Sequence, residues 1–149
     1  EVINEVSVRL FPHVVFRHGY QYIIWYTICM ENCIFCKIVK KEIMADIVYE
    51  DNDFLAFLDI HPVSLGHTLI IPKEHHRWVW DVSKIGPYFE VVGKIAKALQ
   101  KAFRQEAIWS GIRGDEVPHA HVSIMTHSET AGDKKDFETI KQKIINNLK

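Results

Sequence analysis

The order of elements along the chain predicts an α+β fold, an antiparallel sheet with helices packed on one side. Three observations carry this. Short apolar segments divided by turn residues precede one long amphipathic stretch; two further strand-like segments follow it; a second amphipathic stretch closes the chain. At 149 residues, with 48% hydrophobic and 25% charged residues, the chain suits one domain with its own core.

Taken in order, Ile47-Val48-Tyr49-Glu50 reads as a strand and Asp51-Asn52-Asp53 as a turn. Phe54 to Ile60 is a second strand, so the pair forms a hairpin. His61 to Gly66 is a loop, and His67 to Pro72 a third, strongly apolar strand. Asp81 and Ser83 offer caps before a helix expected to begin near Gly86-Pro87. Phe89, Val92, Ile95, Ala96, Leu99 and Phe103 fall at helical spacing and predict the stripe that packs on the sheet. Ala107 to Trp109 is expected as a fourth strand and Ser110 to Asp115, with two glycines, as a loop. Val117 to Met125 follows as a strand. Lys135 to Leu148 closes with a helix whose stripe is Phe137, Ile140, Ile144 and Leu148.

Formal net charge is −1, so no global field favours nucleic acid or an anionic membrane, and neither is expected as a partner. The clearest basic run, Lys37 with Lys40 and Lys41, reads as a solvated face. The cysteines are Cys29, Cys33 and Cys36. An odd count with one C-x-x-C spacing argues against a secreted disulfide framework and for a reducing compartment, the cytoplasm or nucleus. Residues 1–29 are aromatic-rich, and their longest apolar run, around Tyr22 to Met30, is too short to span a bilayer. They read as an N-terminal extension before a domain at 30–149, with Met30 as a natural start. An intact mass equal to that of the full chain rules out that start.

Pro118-His119-Ala120-His121-Val122-Ser123-Ile124-Met125 is the stretch richest in chemistry. On a strand, His119, His121 and Ser123 share one face while Ala120, Val122 and Ile124 share the other. Neutral imidazole is a competent nucleophile near neutral pH. Taken alone, both histidines also read as satisfied structural side chains on a polar strand. Likewise, Cys33-x-x-Cys36 alone is compatible with redox chemistry, metal binding or neither.

Several segments, in order, resemble the histidine triad family of nucleotide-binding proteins, over about Asn32 to Met125. They are Cys33-Ile34-Phe35-Cys36-Lys37-Ile38, Leu55-Ala56-Phe57-Leu58-Asp59-Ile60-His61-Pro62, Gly66-His67-Thr68-Leu69-Ile70-Ile71-Pro72-Lys73-Glu74-His75, and Val117-Pro118-His119-Ala120-His121. The resemblance implies a five-stranded antiparallel sheet with a long helix and a C-terminal helix, and a homodimer whose sheets join. It also implies binding of a purine nucleotide, expected to be adenine, with hydrolysis or transfer at the α-phosphorus of an adenylate, phosphoramidate or dinucleotide.

By the same resemblance His121 is the nucleophile that forms a covalent nucleotidyl-imidazole. His119 stands beside it, its role divided between orientation and a metal. Ile34, Phe35 and Ile38 flank the base, with Phe57 and Ile60 opposite; for those two, plain core is the competing reading. Asp59 accepts from both ribose hydroxyls, with turn capping as its alternative. Structural zinc is held by Cys33, Cys36, His75 and His119, with His76 a competitor for His75.

The chain departs from the family pattern at several places. Ser123 stands at the third triad position; it can donate one hydrogen bond but cannot carry positive charge. Thr126 and His127 stand where proline and arginine are common, and Asp115 stands where glutamine is frequent. Trp109 to Gly114 lacks the usual asparagine, for which Ser110 or Arg113 would partly substitute at the phosphate. These departures bear on catalysis more than on binding. The alternative to an enzyme is therefore a nucleotide- or partner-binding module with weak or no catalysis.

Overall fold

The structure is a computed structural model and describes residues 32–127 and 129–148. The expected boundary at residues 29–30 lies outside them, as does Cys29. The described elements are helix α1 (Ile34–Val39), strands β1 (Ile47–Glu50), β2 (Phe54–Leu58) and β3 (Thr68–Pro72), and a short 3₁₀ turn (Val79–Asp81). Helix α2 (Ile85–Phe103), strands β4 (Trp109–Arg113) and β5 (His121–Met125), and helix α3 (Phe137–Asn146) follow. All strand pairs are antiparallel, in the order β1-β2-β3-β5-β4. Among the described residues no helix is long and apolar enough to cross a membrane.

Alternation along the strands builds two cores, one on each face. Phe54, Ala56, Leu58, Ile70, Ala120, Val122 and Ile124 pack with α2 and α3. Leu55, Phe57, Leu69 and Ile71 pack with Cys33, Phe35, Cys36 and Ile38 of the α1 segment. The expectation of helices on one side is thus corrected. Helix α1 covers part of the opposite face. Its sequence reads as a C-x-x-C turn because one and a half turns are too short to display a helical period.

The α2 stripe is also shifted. Tyr88, Val91, Val92, Ile95, Ala98 and Leu99 are the buried residues, while Phe89 is 39% exposed. Tyr88 wins the inward position because its ring stacks on Phe54 and its hydroxyl donates to the Ile70 carbonyl. A buried phenol without such a partner would cost about 1–3 kcal/mol. In α3, Ile140 and Ile144 are buried and Asp136 caps the N-terminus by accepting from the Thr139 amide at 3.2 Å. That cap sets the start two residues later than Lys135.

Two strand boundaries move for physical reasons. The expected 110–115 loop is largely strand, because Gly111 sits in the ladder opposite Ser123; its glycine content suggested a loop, but the ladder on β5 overrides it. Strand β5 begins at His121 rather than Val117. Pro118 has no amide to donate, and the His119 amide turns back to the Val117 carbonyl at 2.7 Å.

Gly66 ends the β2–β3 loop with φ +72°, and a Cβ there would lie 2.8 Å from both Leu99 Cδ2 and Phe103 Cε2. Backbone strain and steric overlap act together. Gly66→Ala is expected to lower stability by about 2–4 kcal/mol, read as a lower urea midpoint at unchanged m-value. An unchanged midpoint contradicts this account of the loop.

Candidate functional site

The ladder lays out one face of the sheet in rows. Leu69 pairs with Ser123 and Ser123 with Gly111; His121 pairs with Arg113, and Met125 with Trp109. Paired residues point the same way, so His121, Ser123, Gly111, Arg113, Trp109 and Met125 share the face away from α2. Ser110 pairs with Ile124, which packs on α2 and α3. Its side chain therefore belongs to the other face, which corrects the expectation that it meets phosphate beside His121. Arg113 does share the row of His121, but it is exposed and reaches Glu116 Oε1 at 3.3 Å. Asp115 is exposed in the bend after β4.

His121 is 6% exposed, and its Nδ1 lies 2.8 Å from the His119 carbonyl oxygen. A carbonyl only accepts, so Nδ1 carries a proton, and in the neutral imidazole the lone pair is on Nε2. The Phe35 ring meets the imidazole edge-on, with centroids 5.4 Å apart. Packing and a backbone bond thus fix both the tautomer and the ring plane.

The metal-ligating set converges although it is spread over 87 residues of sequence. Ligand atoms of Cys33, Cys36, His75 and His119 all lie within 4.8 Å of one another, and all four residues are buried. Cys36 Sγ is 3.2 Å from His75 Nδ1, and Cys33 Sγ is 3.4 Å from His119 Nδ1. Zinc bonds of about 2.3 Å to sulfur and 2.0–2.1 Å to nitrogen give tetrahedral S···N edges of about 3.6 Å. The spacing and the donors therefore fit zinc with every position filled by protein. His119 Nε2 donates to the Pro72 carbonyl at 2.8 Å, which leaves Nδ1 deprotonated and facing the thiols. Burial pulls the His119 pKa down to about 4, against the pull of that carbonyl, with His75 and His121 lowering it further. Burial also pushes the Cys36 thiol up to about 12, with Cys33 adding to the rise. Without a cation, this pocket opposes the thiolates that a metal requires. His76 turns to Glu74, with Nε2 3.3 Å from Oε2, and does not join the cluster.

The residues expected at the base divide between core and surface. Phe35, Ile38 and Phe57 are buried in the second core, with Phe35 and Phe57 edge-to-face at 5.6 Å. Ile34 and Ile60 are exposed, at 42% and 64%. Asp59, just past β2, accepts from the His61 amide at 2.8 Å through Oδ1, so the turn-capping role is present. Its Oδ2 lies 3.4 Å from His67 Nδ1. His67 is buried, and neither ring nitrogen has a hydrogen-bond partner. Burial lowers its pKa and Asp59 opposes that fall. The place of His67 beside Asp59 shows only once β2 and β3 pair.

A model of the HIT domain matches residues 40–130. The chain belongs to the HIT, or histidine triad, family. It is 38% identical over 114 residues to an uncharacterized HIT-like protein of Borreliella burgdorferi, covering 69% of this chain and 81% of that one. Among solved HIT structures, a zinc-bound histidine triad family protein from Mycobacterium smegmatis superposes with a TM-score of 0.68 at 26% identity. That match covers 80% of this chain and 94% of the other. A HIT family hydrolase from Clostridium thermocellum gives 0.58 at 29% identity, covering 69% and 96%.

Proposed function

We propose that this HIT protein binds a purine nucleotide, with adenine as the base, and cleaves phosphoramidates, adenylates or dinucleotides at the α-phosphorus through His121. The observation that carries this reading is the bond from His121 Nδ1 to the His119 carbonyl, which commits the Nε2 lone pair to the nucleophile's role. Nε2 forms a bond to phosphorus, the bond to the leaving nitrogen or oxygen breaks, and the leaving group takes up a proton from solvent water. Water then attacks phosphorus, and the nucleotide departs from a regenerated neutral imidazole. Ser123, in the next row, donates to a non-bridging oxygen without supplying charge. Zinc on Cys33, Cys36, His75 and His119 is structural and ties α1, the end of β3 and the approach to β5 into one frame. His119 serves that frame and holds the tautomer of His121 through its carbonyl. Strand β4 is an edge with Trp109 and Ile112 exposed, and a second copy joins the sheet there as a homodimer.

Ser123 favours a second reading, a nucleotide- or partner-binding module with little turnover, because a neutral hydroxyl replaces a group able to carry charge. Calorimetry with adenosine monophosphate, paired with turnover of adenosine 5′-phosphoramidate, separates the two. Binding is expected to favour the ribonucleotide over the 2′-deoxy form by about tenfold or more, through hydrogen bonds to the Asp59 carboxylate. Turnover in the native protein supports the enzyme. Binding without turnover, with activity appearing in Ser123→His, selects the module. No binding of adenosine monophosphate overturns the enzyme and the nucleotide-binding module alike and leaves only a partner-binding one.

A further inference from the structure

His67 is buried, and neither of its ring nitrogens makes a hydrogen bond. Buried polar groups are nearly always paired, so an unpaired imidazole calls for a role. One edge of the ring has a neighbour. Nδ1 lies 3.4 Å from Asp59 Oδ2, while Asp59 Oδ1 is held by the His61 amide. A carboxylate only accepts, so the proton belongs on Nδ1 and, in the neutral ring, the lone pair on Nε2. Burial favours that neutral ring, against the pull of Asp59.

The register sets His67 on the far side of Ser123 from His121. Leu69 pairs with Ser123, and the two strands are antiparallel. His121 lies two residues from Ser123 on β5; His67 lies two residues from Leu69 along β3, in the opposite direction. Leu69 and Ile71 occupy the α1 face, and alternation places His67 in the same series. At about 3.4 Å per residue, the rows of His121 and His67 flank the Ser123 row at about 7 Å on either side. Diagonal cross-strand neighbours such as His67 and Ser123 stand about 7–8 Å apart, within reach of an aromatic side chain. An imidazole at position 123 would fill the space between them. A serine hydroxyl leaves it open, and can both donate and accept.

We propose that Asp59, His67 and Ser123 form a proton relay that serves as the general base for the hydrolytic half of the reaction. The inference rests on the function proposed above and deepens it. In-line displacement puts the entering and leaving groups on opposite sides of phosphorus. With phosphorus bonded to His121 Nε2 above the Ser123 row, water enters from the His67 side. Its oxygen bonds to phosphorus as one of its protons passes to Ser123 Oγ, whose own proton passes to His67 Nε2. The P–N bond breaks and its electron pair returns to His121 Nε2, giving nucleoside monophosphate. The His67 imidazolium, held beside the Asp59 carboxylate, then returns its proton through Ser123 to solvent. An acidic side chain that orients a histidine towards a hydroxyl is a recurrent solution to this task. Such contacts are often long before substrate arrives and tighten in the complex.

Rapid acid quench, with the protein in excess over adenosine 5′-phosphoramidate labelled at phosphorus, resolves the two half-reactions. Label first joins the protein and then leaves as adenosine monophosphate. In His67→Gln the second rate is expected to fall by about 10²-fold, the contribution of a general base, while the first stays within about threefold. Labelled protein then accumulates. Ser123→Ala breaks the same relay, so the double variant is expected to release label no more slowly than the slower single variant. Equal slowing of both half-reactions in His67→Gln marks a structural role and overturns the proposal. So does an unchanged release rate, or a double variant in which the two single effects multiply; each leaves the function above standing. Where His67→Gln no longer binds adenosine monophosphate, Ser123→Ala alone decides: accumulation of labelled protein supports the relay, and its absence overturns it. A native protein that neither takes up label nor turns over removes the proposed reaction and the relay together.

Discussion

Replacing His121 by alanine is expected to lower turnover of adenosine phosphoramidates by about 10⁴-fold or more while adenosine monophosphate still binds. Loss of a nucleophile that forms a covalent intermediate costs on this scale, because no other group can complete either half-reaction. On the same face, Ser123 is a neutral hydroxyl without an imidazole on its own row, and Arg113 cannot act as a nucleophile at neutral pH. His119 is closer in sequence, but its Nε2 is held by the Pro72 carbonyl and its Nδ1 faces the two thiols. It cannot substitute without dismantling the cluster. The structural penalty of the change is small by comparison. His121 makes one bond to a backbone carbonyl and an edge contact with Phe35, together about 1–2 kcal/mol. Rapid acid quench with labelled substrate checks the mechanism directly, because the native protein should trap label and His121→Ala should not. Full turnover in that variant would place the nucleophile elsewhere.

Much of this arrangement was legible before folding, and the exceptions have physical causes. The hairpin of β1 and β2, the apolar β3 and the long α2 are all written in periodicity. Strand β4 was displaced because glycine in a pairing row resembles glycine in a turn; only the cross-strand partner Ser123 distinguishes them. Side-chain direction was illegible for the same reason. Ser110 looked suited to phosphate, yet a register of one residue sends it to the helix-covered face and brings forward Gly111 and Trp109. The metal set came from family resemblance rather than from spacing, since nothing local joins Cys33 to His119 across 86 positions. Phe89 and Tyr88 show the limit of a helical stripe. Adjacent aromatics satisfy the period almost equally, and the hydrogen bond to Ile70 on another strand decides between them.

Removing the thiols should cost nearly as much in stability as removing His121 costs in rate. The double variant Cys33→Ser, Cys36→Ser is expected to purify without zinc, where the native chain carries about one ion, and to melt about 10 °C lower. That corresponds to roughly 3–5 kcal/mol for a domain of this size, less than a zinc finger loses because two apolar cores remain. The pH dependence gives a sharper test, because the two ligand types act in opposite directions. Burial holds His119 near a pKa of about 4 against an ordinary 6.5, so the unfolded chain takes up that proton first. Stability from this group is complete above pH 6.5 and is lost as pH falls towards 4, about 3 kcal/mol in all. In the metal-free protein Cys36 behaves in the reverse sense. Its thiol is raised from 9.0 to about 12, so the unfolded chain releases that proton first, and stability falls as pH rises between those values. Zinc abolishes the second effect, because the bound sulfur is already a thiolate in the folded state. Urea midpoints should therefore be lower with chelator than without at pH 7, and the gap should widen at pH 10. Coincident midpoints at both pH values would mean that no metal sits among these four side chains.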